Sequence, residues 1–176
     1  NYNNIETTLK LEATRAPYLD RLLEDPRVEI DRKDKDGWTA LHWASWSGLD
    51  RLSDMLIERK ADINNREGNG FTPLMLAAMR GNFQVAALLL EKGADMTAVN
   101  KFGKNALQLA EEGALAYQSS FDLTKTEVSK APVDSFIRAY EKAVAGLPPE
   151  HAPEFMEAMK KAVGRQSFVE TGYVLQ

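Results

Sequence analysis

"DGWTALHWASWSGLDRLSDMLIERKADINNRE", residues 36–67, lies without a gap over "NGFTPLMLAAMRGNFQVAALLLEKGADMTAVN", residues 69–100, and "FGKNALQLAEEGA", residues 102–114, begins a third copy. The offset is 33 residues throughout: Gly37, Gly70 and Gly103 share one place in the unit, as do Leu41, Leu74 and Leu107, and Ala44, Ala77 and Ala110. Thr39 returns as Thr72, Gly48 as Gly81, and "ADIN" (61–64) as "ADMT" (94–97). Glycine, leucine and alanine ladders at one period mark stacked copies of one supersecondary unit, each burying its apolar face against the next.

The residue types within the unit have local reasons. Asn69-Gly70 is the pair that a tight turn with positive φ requires. Thr39 and Thr72 can cap a first helix, and Pro73 suits its first turn. Ala44, Ala77 and Ala78 are small enough for helices of neighbouring units to approach closely. Val85, Leu88, Leu89 and Leu90 form the apolar face of a second helix, as Leu52, Met55 and Leu56 do one unit earlier. Gly93 ends that helix in the left-handed conformation. Lys60 stands at the equivalent place, at a cost of about 1 kcal/mol.

"TALHWA" (39–44) and "TPLMLA" (72–77), with the looser "NALQLA" (105–110), resemble the T-P-L-H-x-A signature of the ankyrin repeat, a turn followed by two antiparallel helices. The resemblance implies an all-α helical solenoid with repeats at 36–68, 69–101 and, in part, 102–113. A degenerate N-terminal capping repeat is expected over 1–35, since the ends of a solenoid need a more polar outer face. There "YLDRLLEDPRVEIDRKD" (18–34) reads as a second helix with its outgoing loop, and "NIETTLKLEA" (4–13) as its partner helix. Beyond Gly113 the pattern fails. Residues 114–131 read as a loop and 132–176 as a C-terminal helical extension. Val133, Phe136, Ile137, Tyr140 and Val144 share one face of a helix starting near Pro132. "GLPPEHAP" (146–153) breaks it, and Phe155, Met156, Met159 and Val163 make a second amphipathic helix. Two readings of the extension stay open: a cap over the end of the stack, or a hairpin that binds a partner or a second copy. "SFVETGYVLQ" (167–176) has strand-like composition and no evident pairing partner.

Chemistry is sparse. The 176 residues contain no cysteine, which removes disulfides, thiol catalysis and zinc sites built on Cys. The formal charge of −4 is spread without basic blocks, which argues against nucleic acid and anionic membranes as main partners. Apolar runs such as "VAALLL" (85–90) are too short to span a bilayer, and no signal peptide is visible. The chain opens on Asn1 rather than Met, so a removed leader or a further domain is compatible with it; the cytoplasm is the favoured location, and an exported or periplasmic one is compatible with the missing Cys and the non-Met start. No phosphate-binding or nucleophile-elbow glycine motif occurs. Of the two histidines, His42 falls where the ankyrin pattern uses His to hydrogen-bond a neighbouring turn, and His151 lies in a Pro-rich loop. Glu111 and Glu112 read as a solvated face, Asp34 and Asp36 as polar turn residues. No catalytic, cofactor or metal site is expected.

The resemblance also implies where a partner binds: on the concave side formed by turn tips and first helices. The 33-residue offset brings Trp38, Phe71 and Lys104 to the place after the turn glycine, and Trp46 and Met79 to the end of the first helix, with Arg80 beside them. The tips carry Lys35 and Asp36, then Asn69, then Lys101 and Phe102. Aromatic, Met and Arg side chains rimmed by charge are the composition of interface centres. The alternative is that these rings pack along their own turns or under the C-terminal segment. Trp43 is expected in the interior of the stack. The expectation is a monomeric, non-catalytic module that recognises a protein, inhibition or regulation of a partner enzyme being one form. The rivals are a scaffold that oligomerises through 132–176 and a regulatory fragment of a larger enzyme.

Overall fold

A computed structural model describes residues 17, 19–118, 131–150 and 153, with side chains omitted at 111, 114–118 and 131–137. The expected helices at 4–13 and 155–163, the tail at 167–176 and His151 lie outside the described residues. Within them, α1 covers 19–24, α2 Ala40–Ser47, α3 Asp50–Glu58, α4 Pro73–Met79, α5 Phe83–Glu91, α6 Ala106–Gln118 and α7 Ala131–Ala145. No strand occurs among the described residues, and the chain is the all-α solenoid that the repeats imply.

The helices form two layers. α2, α4 and α6 lie side by side in one, and α3, α5 and α7 in the other, with α2 packed on α3 and α4 on α5. Equivalent residues of successive units meet at the same depth. Leu41, Leu74 and Leu107 are buried, as are Ala44, Ala77 and Ala110 where the α2–α4–α6 layer closes up. α6 runs five residues beyond Gly113, where the repeat pattern stops. A Cβ on Gly113 would collide with the Met79 carbonyl oxygen, so only glycine lets α6 come this close to the end of α4. α7 rests on α5 as α5 rests on α3, and buries Ala139, Tyr140 and Val144. The apolar stripe at this end of α7 is therefore used within the chain. Burial pushes the Tyr140 phenol above its ordinary range.

The caps follow the sequence. Thr39 begins α2 in an extended conformation; its Oγ1 accepts from the His42 N–H at 3.4 Å, and its own N–H donates to His42 Nδ1 at 3.1 Å, a reciprocal capping box. Thr72 repeats half of this through Met75 N–H at 3.3 Å, with Pro73 in the first turn. Gly93 has φ +93°, and Lys60 is the one non-glycine residue with positive φ among those described, at 67°.

Trp43 departs from its expected interior place. It is 47% exposed, whereas its equivalents Leu76 and Leu109 are 2% and 4% exposed. Each of α4 and α6 lies against a preceding helix of its layer, but α2 is the first such helix among the described residues and is packed from one side only. The same position therefore changes from core to surface at the first helix of this layer among the described residues. The indole N–H of Trp43 uses that freedom to donate to Asp34 Oδ2 at 2.8 Å.

Candidate functional site

The site grows from the turns that precede α2, α4 and α6. Each is held by an acceptor side chain three residues before the turn glycine. Asp34 Oδ1 takes the N–H groups of Asp36 and Trp38, both at 2.9 Å. Glu67 Oε1 takes those of Asn69 and Phe71, at 2.7 and 3.0 Å. Asn100 Oδ1 takes those of Phe102 and Lys104, at 2.9 and 3.1 Å. Three different residue types thus satisfy the same two backbone donors, and the residue after each turn glycine is fixed by the second of them. The sequence shows only a polar residue recurring every 33 positions with no shared identity, so the acceptor role of Asp34 is not apparent from its type as a polar turn residue.

The turns are also tied to one another. A Cβ on Gly37 would stand 3.3 Å from Gly68 N, and one on Gly70 3.3 Å from Lys101 N, so adjacent tips touch. Lys101 N–H donates to Asn69 O at 3.0 Å. Lys33 Nζ reaches Arg66 O at 2.8 Å, and Arg66 Nη1 reaches Val99 O at 3.0 Å, the same bridge one unit on. His42 closes the first junction, its Nε2 meeting Phe71 O at 3.1 Å. Because Nδ1 accepts from Thr39 N–H, the proton sits on Nε2 and donates to that carbonyl. Burial holds the imidazole below its ordinary pKa, outweighing the upward effect of its bonds to the backbone of Phe71 and Asn65. Asn82 was not anticipated either: its carboxamide donates to Ser45 O and Trp46 O at 2.9 and 2.8 Å, satisfying the carbonyls at the end of α2.

On this frame the aromatic side chains form two groups. Trp38 lies 4.6 Å from Trp43 and 5.7 Å from Trp46 between ring centroids, so all three tryptophans of the chain make one cluster. Arg80, from the next unit, places its guanidinium carbon 4.5 Å from the Trp46 centroid. Phe71 and Phe102 pair edge to face at 6.3 Å across the second and third units. Trp38 and Trp46 are half-buried; Phe71 and Met79 are half-buried against the core. Phe102 is the most open large apolar residue among those described, at 65%. Lys35, Asp36, Asn69, Arg80 and Lys101 are exposed. Lys104 is bound to both carboxylate oxygens of Glu112, at 2.6 and 2.8 Å. The hydrogen bonds from the Trp43 indole and the Trp38 amide hold the Asp34 carboxyl below its ordinary pKa.

Among the described residues, no group of His, Cys, Asp or Glu can hold a metal ion, and no helix is long and apolar enough to cross a membrane. An open depression at the joints of the helix pairs, lined by Gly48 and Gly81 to Val85, includes none of the aromatic residues of the two clusters; its aromatic lining residue is Phe83. What the turn face offers is an apolar, indole-rich surface on a hydrogen-bonded frame. Two family models, both described as ankyrin repeats (many copies), match residues 12–53 and 56–110, together more than half of the chain. No curated protein matches it.

Proposed function

Since the chain belongs to the ankyrin-repeat family, whose repeats are generally protein–protein interaction modules, we propose that it is a non-catalytic recognition module that binds a protein partner on its turn face. The observation that carries this reading is the aromatic surface: Trp38 packed against both Trp43 and Trp46, Arg80 over Trp46, and Phe102 open to solvent at the third turn. Exposed rings on a pre-formed frame bind with little loss of conformational entropy. Masking a partner's surface in this way would make the module its inhibitor or regulator. The burial of Tyr140 and Val144 of α7 against α5 favours contact through the turns over oligomerisation through this end of α7.

The test is capture from the native source by the wild-type chain and by Trp46→Ala and Phe102→Ala variants. Each substitution is expected to cost on the order of 2 kcal/mol in affinity, with an unchanged far-ultraviolet spectrum. Phe102→Ala is the cleaner of the two, because this ring contributes little to the interior. A partner retained equally by wild type and both variants would refute the assignment.

A further inference from the structure

We infer that the segment held on the turn face is acidic, an extended stretch of a protein that sets Asp or Glu beside an apolar or aromatic side chain; the inference rests on the reading of that face as a protein-binding surface. The chain as a whole is acidic, at −4, yet residues 33–38, 66–71 and 99–104 of the turn row carry five cations against three carboxylates. Two of those carboxylates are turned onto the protein's own donors. Asp34 receives two backbone N–H groups and the Trp43 indole, and the buried Glu67 receives the N–H groups of Asn69 and Phe71. Lys35 and Lys101, on the first and third tips, are exposed and make no ion pair among the described residues. One of the five cations, Lys104, is held by Glu112, so the row is mildly positive on a net acidic chain, and its exposed cations Lys35 and Lys101 bracket the aromatic row.

A cation and a ring are in contact at one place and adjacent along the chain at a second. Arg80 lies over Trp46, so its guanidinium is desolvated on one side by the ring and keeps N–H groups for a carboxylate. Lys101 immediately precedes the exposed Phe102. Both places offer an ammonium or guanidinium next to an apolar surface, the complement of an acidic residue followed by an apolar one. A nucleic acid strand fits less well: Asp34 and Asp36 interrupt the row, and an excess of two positive charges on a net acidic chain is far from the concentrated basic face that a polyphosphate needs.

All three tryptophans lie on this face, so intrinsic fluorescence reports its occupancy directly. The experiment selects binders of the full chain from a random-sequence peptide library, keeping those whose binding perturbs tryptophan emission. They are then titrated against wild type, Phe102→Ala and the double variant Lys35→Glu with Lys101→Glu. Peptides rich in Asp or Glu with an aromatic or aliphatic neighbour are expected. They should weaken about ten-fold on charge reversal and about ten-fold between roughly 0.05 and 0.3 M salt. Selected peptides that are neutral or basic, bind the charge-reversed variant equally and still weaken with Phe102→Ala would overturn the acidic partner while leaving the aromatic surface standing. Selected peptides indifferent to Phe102→Ala as well, or no peptide that perturbs tryptophan emission, would remove the surface itself and the inference with it. Thermal unfolding of each variant shows that the losses are not losses of fold.

Discussion

Leu76 and Trp43 occupy the same place in consecutive units, yet one is 2% and the other 47% exposed. Around them the units differ in the same sense. α4 has a helix of its own layer on either side, whereas α2 has α4 alone among the described residues. The second unit ends its outer helix on Gly93, the first on Lys60 at φ 67°. Only the first unit has a histidine bridging from α2 to the next turn; Met75 and Gln108 stand at that place further on. In a solenoid each unit is stabilised by its neighbours, so a residue's burial is set by where its unit stands as well as by its type. The first unit among the described residues is also the one that carries the exposed indole of Trp43.

Charged substitutions give the largest contrast. Leu76→Lys places an unpaired ammonium between packed helices and is expected to cost more than about 5 kcal/mol or to prevent folding. Trp43→Lys should cost only about 1–2 kcal/mol, from the lost ring contact and indole hydrogen bond. Equal losses in urea unfolding would mean that Trp43 is covered and that the two units are alike. A covered interface should also resist a single methyl group. Gly113→Ala forces α6 away from the Met79 carbonyl and is expected to lower stability by about 2–3 kcal/mol; an unchanged melting temperature would mean that the two helices do not approach so closely.

His42→Met gives the first unit the residue that the second carries. It removes the bridge to Phe71 O and the acceptor of Thr39 N–H, an expected loss of about 1–2 kcal/mol. It should also change the pH dependence. The imidazole is held below its ordinary pKa in the folded chain, so the unfolded chain takes up the proton first. Its contribution to stability is complete above the unfolded value, near 6.5, and is lost as the pH falls through the folded value. Wild type should therefore lose stability below about pH 6.5 with a slope that the variant lacks; parallel curves would show that His42 is not titrating against the fold. Lys60→Gly, the smallest change, relieves the left-handed backbone and should raise stability by about 1 kcal/mol. A lower denaturation midpoint would place Lys60 outside the position that Gly93 occupies.

Periodicity made most of the architecture legible. The leucine and alanine ladders, the threonine caps and the strained Lys60 could be assigned from the 33-residue offset, because each is required by local geometry that every unit repeats. The aromatic surface was legible in part. Trp46 and Phe102 could be placed beside Arg80 and Lys101 by offset, but the same offset assigned Trp43 to the interior, since its equivalents are leucines that are buried. An offset carries no information about whether a neighbouring unit is there. The acceptor ladder of Asp34, Glu67 and Asn100 escaped notice for a related reason: the three residues share a hydrogen-bonding capacity rather than an identity, and side-chain reach decides whether it is used.

The sequence by itself determined the unit, its length, its caps and its turn glycines, because these depend on backbone geometry and on interactions between residues close along the chain. Only the tertiary structure decided which copies of a position are buried, that α7 lies on α5 across the segment 119–130, and that three tryptophans with different places in the unit meet in one cluster. Those outcomes depend on which surfaces are covered when the units stack, and burial is a property of the assembled whole.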